Sequence, residues 1–160
     1  MASTSEYPPF AVTVDMVVLT DDARQVLLVR RGVPPYEGAL ALPGGFVEID
    51  ESLDAAARRE LAEETGIDVT DVPVEQVGAY GDPGRDPRGR TVSVAYVAVL
   101  GTATRATAGD DAAEADWYRV ADLDSATLAF DHAQILADAQ ALAAARHPQA
   151  HPPVNGGSSP

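Results

Sequence analysis

A stretch of helix-forming residues, 52–64, restricts the fold more than any other part of the sequence. Ala, Leu, Arg and Glu dominate it, no Pro or Gly interrupts it, and Gly66 follows where a helix is expected to end. At about 100° per residue, one side of this helix is apolar at its start and acidic at its end, and its members are Leu53, Ala56, Ala57, Glu60, Glu63 and Glu64. Because the apolar part should be buried, we expect the carboxylates beside it to be drawn towards the interior.

Three carboxylates at this spacing repel one another, and burial raises the cost of keeping them charged. Glu60, Glu63 and Glu64 therefore either take up protons or are neutralised by divalent cations, and a solvated acidic helix end is the alternative. The sequence has no Cys, so the ligands on offer are hard oxygen atoms. Such ligands favour Mg²⁺, with Mn²⁺ as a substitute.

The spacing of the residues around this helix resembles the Nudix box. That pattern is Gly, five residues, Glu, seven residues, Arg-Glu, an aliphatic residue, any residue, Glu-Glu, any residue, Gly and an aliphatic residue. Its fixed places are filled here by Gly45, Glu51, Arg59, Glu60, Leu61, Glu63, Glu64, Gly66 and Ile67. The preceding Leu-Pro-Gly-Gly, residues 42–45, is also typical of the family. The resemblance implies an α/β fold, the Nudix αβα sandwich with a mixed β-sheet between helices.

Nudix proteins typically hydrolyse a nucleoside diphosphate linked to another group, and the resemblance implies a role for each box residue. The implied metal ligands are the carbonyl of Gly44 and the carboxylates of Glu60, Glu63 and Glu64. Glu51 and Arg59 are expected to orient these ligands, and an ordinary ion pair on the helix surface is the alternative. Two carboxylates are candidates for the general base: Glu64 in the box, and Glu114 on an expected loop that spans residues 102–115.

Three features outside the box resemble Nudix proteins that act on ADP-ribose. They are the segment 81–96, the proline Pro83 within it, and Leu-Ala-Phe-Asp-His at residues 128–132. They predict an enzyme that converts ADP-ribose to AMP and ribose 5-phosphate. A MutT-type (d)NTP pyrophosphohydrolase and a non-catalytic ADP-ribose-binding sensor are the alternatives.

Candidate substrate contacts follow from side-chain chemistry. Guanidinium groups form paired hydrogen bonds to phosphate and ribose oxygens, so one or two of four arginines are expected to touch the ligand: Arg30, Arg31, Arg85 and Arg88. Tyr36, Tyr80 or Phe130 is a candidate for stacking on adenine, with core packing as the alternative for Phe130. For His132, a role in packing or at the start of a helix is expected at least as much as contact with the ligand. Asp15, within an expected strand, is expected on the solvent face or at a subunit contact.

The composition excludes several classes of function. The net charge of -14 argues against nucleic acid as a partner, so the expected partner is a small-molecule nucleotide. No Lys is present, which excludes a Walker lysine and Schiff-base chemistry. The absence of Cys fits a cytoplasmic protein, and no apolar run reaches membrane-spanning length. The resemblance further implies a homodimer.

The length of 160 residues fits one domain, which we place at residues 10–146 between flexible termini at 1–9 and 147–160. Helices are expected at residues 52–64 and 131–146, with Asp131 as a candidate cap of the second. Strands are expected at residues 10–19, 25–31, 39–42, 74–80, 91–100 and 116–120.

Overall fold

The structure is a computed structural model that describes residues 7–104, 106, 108–109 and 112–146, and for residues 112 and 113 it describes only the backbone. Most of the expected flexible N-terminus, the whole expected C-terminal tail, and Asp110 and Asp111 lie outside these residues. Within them, no helix is long and apolar enough to cross a membrane.

Seven strands and two α-helices make up the regular structure of the described residues, apart from short 3₁₀ turns at Val120–Asp122 and Ser125–Thr127. The strands are β1 (Ala11–Thr20), β2 (Gln25–Arg31), β3 (Leu40–Ala41), β4 (Gly44–Phe46), β5 (Val74–Tyr80), β6 (Thr91–Leu100) and β7 (Ala112–Arg119). The helices are α1 (Leu53–Thr65) and α2 (His132–Arg146).

The strands form one mixed sheet in the order β3-β2-β1-β6-β5, while β4 pairs with β1 and β7 pairs with β2. The central pair, β1 and β6, is parallel, and the other pairs are antiparallel. Successive side chains of a strand point to opposite faces. Val17 and Leu19 of β1 accordingly pack in the cluster that contains α2, whereas Met16 and Val18 pack in the cluster that contains α1. The predicted sandwich of a mixed sheet between helices is confirmed.

Local signals set the ends of α1 as the sequence indicated. The Ser52 side chain accepts a hydrogen bond from the Ala55 N–H and caps the first turn. Gly66 ends the helix with φ of 71°, and its N–H donates to the Ala62 carbonyl. The box helix therefore begins and ends within one residue of the prediction.

One strand was not predicted, and another prediction was wrong in part. β4 was not among the expected strands, and it pairs with β1 through Thr13, Val14 and Asp15. β7 begins at Ala112, so Glu114 lies on a strand opposite Arg30 of β2 and not on a loop. The alanines of β7 carry no alternating pattern, and its pairing with β2 is a tertiary effect that overrides local propensity.

The predicted second helix is confirmed, but Asp131 is held differently from the expected cap. Its carboxylate accepts two hydrogen bonds from the Arg85 guanidinium, at 2.8 and 2.5 Å. The loop after β5 is thereby tied to the residue that precedes α2.

Candidate functional site

A cavity of about 490 Å³ lies where β1, β2, β4 and α1 meet the loop after β5 and the residues before α2. This volume falls in the range of small-molecule sites, about 300–1,000 Å³. Five of the eleven arginines of this acidic chain line it: Arg30, Arg31, Arg59, Arg85 and Arg88. The carboxylates of Glu60, Glu64 and Asp15 line it as well. The cavity therefore combines acidic and basic groups around one space.

Glu64 and Glu60 are the box carboxylates that face the cavity. Burial raises the pKa of Glu64 to about 8. The neighbouring charges of Glu60 and Asp15 raise it further, while a 3.0 Å hydrogen bond from the Gly44 N–H and the charge of Arg31 oppose the rise. Burial also raises the pKa of Glu60, against the influence of Arg59. The fold thus keeps two carboxylates close together where their charges are not fully compensated.

Glu63 does not share this environment, and the prediction that all three glutamates turn inward was wrong for it. Its side chain is 60% exposed, against 14% for Glu60, and it accepts a 3.1 Å hydrogen bond from Arg59. The inward side of α1 is instead completed by Leu61 and Thr65, which are fully buried. Among the described residues, no group of three His, Cys, Asp or Glu side chains is arranged to hold a metal ion.

Arg59 connects the box residues. Its Nε and Nη2 atoms donate to the two oxygens of Glu51 at 2.9 and 2.6 Å, and Nη1 donates to Glu60 at 2.9 Å. A weaker bond of 3.3 Å reaches the Phe46 carbonyl. The bond to Arg59 lowers the pKa of Glu51 to about 2, and the same contact raises the pKa of Arg59. A two-point contact of this kind fixes orientation as well as distance, so Glu60 is held by a guanidinium that Glu51 keeps in place.

The four arginines predicted to touch substrate differ in how far their charges are already paired. Arg85, only 5% exposed, is bound to Asp131, and Arg88 is bound to Asp86 at 2.7 Å. Arg30 donates to the Gly38 carbonyl at 2.9 Å and lies 3.6 Å from Glu114. These three guanidinium groups already have carboxylate partners within the protein.

Arg31 is the exception. Its Nε donates to the Pro35 carbonyl at 2.6 Å, and its guanidinium lies 5.1 Å from the centre of the Phe130 ring. It has no carboxylate at ion-pair distance among the residues that the structure describes. Burial, with help from the like charge of Arg88, lowers the pKa of Arg31. This guanidinium is the one best able to receive an anion from the cavity.

Aromatic rings form the wall next to these arginines. Phe130 lines the cavity, and Tyr36 packs against it from outside the lining with the ring centroids 4.8 Å apart. Phe46, which the sequence did not single out, is half-exposed and lies 4.9 Å from the Arg88 guanidinium. The third aromatic candidate, Tyr80, donates to Asp138 at 2.6 Å and does not line the cavity.

The second candidate base, Glu114, does not line the cavity. Its Oε1 accepts a 2.7 Å hydrogen bond from the Tyr118 hydroxyl, and its other oxygen lies near Arg30. The Tyr118 bond lowers the pKa of Glu114, with Arg30 acting in the same direction.

Asp15 is buried, with 6% of its surface exposed, so its expected place on the solvent face was wrong. Its Oδ1 lies 3.3 Å from His132 Nε2, and its Oδ2 accepts a hydrogen bond from the Ser93 hydroxyl. Burial raises the pKa of this carboxyl, but the contacts with His132, Ser93 and Arg85 outweigh burial and leave it below the ordinary value. The sequence carries a signal here only in retrospect, as one acidic residue in an otherwise apolar strand.

The donor set fits a hard divalent cation. Glu60 and Glu64 are partly buried carboxylates whose pKa values burial raises. A cation beside them would replace the protons that burial otherwise favours. With Arg31 and Phe130 in the same lining, the site has the groups needed to bind a charged diphosphate and a flat ring.

Comparison with known proteins gives consistent matches. The NUDIX domain family model matches residues 9–139. The chain is 40% identical over 131 residues to an ADP-ribose pyrophosphatase of Methanocaldococcus jannaschii, covering 80% of this chain and 72% of that protein. It is 38% identical over 139 residues to the ADPR responsive transcriptional repressor NtrR of Acinetobacter baylyi, covering 84% of this chain and 55% of that protein. The NUDIX domain of Shewanella oneidensis NrtR, solved with ADP ribose, superposes with a TM-score of 0.79 at 33% identity, covering 88% of this chain and 93% of that one.

Proposed function

We propose that this chain, which belongs to the Nudix family and is a Nudix hydrolase, acts on ADP-ribose. It would cleave the pyrophosphate bond of ADP-ribose to give AMP and ribose 5-phosphate. The observation that carries this proposal is one cavity in which the partly buried carboxylates of Glu60 and Glu64 lie with the Arg31 guanidinium and the Phe130 ring. The similarity to the Methanocaldococcus jannaschii enzyme supports the choice of substrate.

Nudix hydrolases generally use divalent metal ions, and we propose Mg²⁺ here, with Mn²⁺ as a substitute. Glu60 and Glu64 would hold the ion, with the Gly44 carbonyl as a further ligand and Glu63 joining once its side chain leaves Arg59. When bound, such an ion neutralises charge on the diphosphate and makes a water molecule easier to deprotonate.

The side chains of this protein then have distinct tasks. Glu64 is the proposed general base, because its carboxylate lines the cavity beside Glu60, where it would be within reach of a water molecule next to the bound ion. Glu114 is the weaker candidate, since Tyr118 and Arg30 already occupy its carboxylate outside the cavity lining. Glu51 and Arg59 hold Glu60 in place.

Substrate binding is assigned to other residues of the same lining. Arg31 would bind diphosphate or the terminal ribose, and Phe130, supported by Tyr36, would stack on the adenine. Arg85 and Arg88 keep their places through Asp131 and Asp86, and they add positive potential to the cavity. Arg30 contributes in the same way beside Gly38.

A non-catalytic ADP-ribose sensor is the second candidate function. The matches to the Acinetobacter baylyi repressor and to the ADP-ribose complex of Shewanella oneidensis NrtR favour it. The complete box argues for catalysis, because a sensor needs to bind the nucleotide without activating water. A MutT-type (d)NTP pyrophosphohydrolase remains the other enzymatic alternative.

A substrate panel separates these functions. The purified protein is incubated with ADP-ribose, NADH, diadenosine polyphosphates and the four dNTPs, with Mg²⁺ or with excess chelator, and the products are separated by chromatography. We expect metal-dependent release of AMP from ADP-ribose in preference to the other compounds. Turnover of dNTPs alone would contradict the proposal in favour of the MutT-type activity. Tight binding of ADP-ribose without turnover would favour the sensor.

A further inference from the structure

We propose that Asp15 and His132 are positioning residues for the proposed hydrolysis, and that they act by fixing the backbone of residues 42–45 beneath Glu64. The inference rests on the proposed function, since it concerns the same cavity. His132 Nε2 faces Asp15 Oδ1 at 3.3 Å, and His132 Nδ1 accepts a 2.9 Å hydrogen bond from the Leu42 N–H. Two residues later, the Gly44 N–H donates to Glu64 Oε2 at 3.0 Å. A continuous path therefore runs from the buried aspartate to the proposed base.

The hydrogen bonds define the state of the His132 ring. Because Nδ1 accepts from a backbone N–H, it carries no proton, and the single ring proton lies on Nε2 where it points at Asp15. The second oxygen of Asp15 accepts from Ser93. Both nitrogens of the buried His132 and both oxygens of Asp15 are thus engaged within the protein. These contacts hold both side chains in place, and each acts through the groups it holds.

The segment of residues 42–45 also packs closely against β1. Gly44 lies directly opposite Asp15 in the strand register, and the Met16 N–H donates to the Pro43 carbonyl at 2.8 Å. A Cβ atom on Gly44 would collide with the Val14 carbonyl oxygen and lie 2.6 Å from Asp15 Oδ1. If His132 is lost, the Leu42 N–H is left in a buried place without its partner, which is costly. We expect residues 42–45 to shift when this partner is lost and to move the Gly44 N–H away from Glu64.

Residues 130–132 connect the contacts of His132 to the aromatic side chain that lines the cavity. His132 is the first residue of α2, and its ring lies 5.3 Å from that of Phe130, which lines the cavity. Asp131, between them, holds Arg85. Residues 130–132 therefore place Phe130 in the cavity lining and also fix the backbone of residues 42–45, which contacts Glu64.

Three substitutions test the role of His132. His132→Phe keeps a ring and removes both hydrogen bonds, whereas His132→Asn keeps an acceptor near the position of Nδ1. Ile135→Val is the matched control, because it also loosens the buried face of α2 but lies outside the path. For each variant we would measure kcat and KM for ADP-ribose, the affinity for Mn²⁺ without substrate, the exchange rate of the Leu42 amide, and Tm.

We expect His132→Phe to lower kcat and Mn²⁺ affinity by about 10–100-fold, the usual effect of losing a residue that orients metal ligands. KM should change little, the Leu42 amide should exchange faster, and His132→Asn should recover part of each loss. Ile135→Val should lower Tm alone. If His132→Phe lowers Tm and leaves kcat and Mn²⁺ affinity at wild-type values, the positioning role is wrong.

Asp15→Asn provides an independent variant should His132→Phe fail to fold. The amide has one acceptor oxygen where the carboxylate has two, so it cannot accept from both His132 and Ser93. We expect the same losses of kcat and Mn²⁺ affinity, and unchanged values for this variant would overturn the proposal. If the wild-type protein does not cleave ADP-ribose, the proposed function fails, while Mn²⁺ affinity and Leu42 exchange still decide the positioning role.

Discussion

Glu64 has a carboxylate that the fold has largely removed from water, and its chemistry follows from that location. Burial raises its pKa to about 8, and Glu60 and Asp15 add to the rise. Replacing it by Gln keeps the shape and removes the charge and the basicity. We expect Glu64→Gln to reduce kcat by about 10²–10⁴-fold with a native circular dichroism spectrum. Near-normal turnover would refute its role as the base.

The same carboxyl makes stability depend on pH when no metal is bound. Its pKa rises from 4.5 to about 8 on folding, so the folded protein binds this proton more tightly than the unfolded chain. The free energy of unfolding should therefore fall as the pH increases through that range, by a few kcal/mol. Urea unfolding in excess chelator, at pH values below and above that range, measures this decrease in the free energy of unfolding.

Two variants identify the group responsible for this pH dependence. Glu64→Gln should flatten the dependence, whereas Glu63→Gln should leave it unchanged because Glu63 is exposed. If the metal-free wild-type protein is equally stable across the range, the uncompensated burial of Glu64 is wrong.

Arg59 is the residue on which the arrangement of Glu60 depends. Its planar guanidinium contacts Glu51 at two points and Glu60 at a third, a geometry that the Lys ammonium does not reproduce. We expect Arg59→Lys to lower kcat by about 10–100-fold while Tm changes little. Arg119→Lys, at an exposed arginine, is the control and should be silent. Equal activity of both variants would show that Arg59 only forms an ordinary ion pair on the helix surface and does not position Glu60.

At the scale of elements, α1 is held at its C-terminal end by the loop after β6. The Gly109 N–H donates to the Glu64 carbonyl at 3.0 Å, and a Cβ on Gly109 would collide with the Glu63 carbonyl oxygen. We expect Gly109→Ala to destabilise the protein by about 1–3 kcal/mol through overpacking. Gly101→Ala meets no atom within 4 Å and should change stability by less than about 0.5 kcal/mol. Urea unfolding that gives equal values for the two variants would contradict this contact.

How far the sequence predicted each element depended on whether its signal was local. The ends of α1 were predicted because the helix-forming composition of residues 52–64 and the stop at Gly66 are local signals. β4 and the start of β7 were missed because glycine and alanine carry no pattern, and their pairing partners lie far away in the sequence.

The site shows the same division between local and long-range signals. Fixed spacing identified Glu60 and Glu64, which the structure places in the cavity. It did not reveal that Glu63 turns outward, because helical periodicity places Glu63 on the same side as Glu60 and Glu64, and only the packing of α1 on the sheet decides which part of that side is exposed. Nor did it pair Leu42 with His132, 90 residues away. Contacts of that kind come from the tertiary fold.

At the scale of the whole molecule, the resemblance to ADP-ribose enzymes leads us to expect a homodimer. Exposed apolar side chains such as Phe10 and Ile49 are available for such an association. Sedimentation velocity over a wide concentration range should give the mass of two chains of 16.7 kDa each. A single monomeric species at every concentration would contradict the expectation.

Charge is distributed over the molecule in a way that suits its proposed substrate. The chain has a net charge of -14, yet five of its eleven arginines line one cavity. An anionic diphosphate can therefore bind there only where cations offset the surrounding carboxylates. In the proposed mechanism, a divalent ion on Glu60 and Glu64 provides this offset.

Crystals grown with Mn²⁺ and a non-hydrolysable ADP-ribose analogue would show whether this ion is present, because anomalous scattering locates the metal independently of the protein atoms. We predict Mn²⁺ bound by the carboxylates of Glu60 and Glu64 and in contact with the diphosphate of the analogue. An analogue bound in the cavity with no ion at either glutamate would contradict the account.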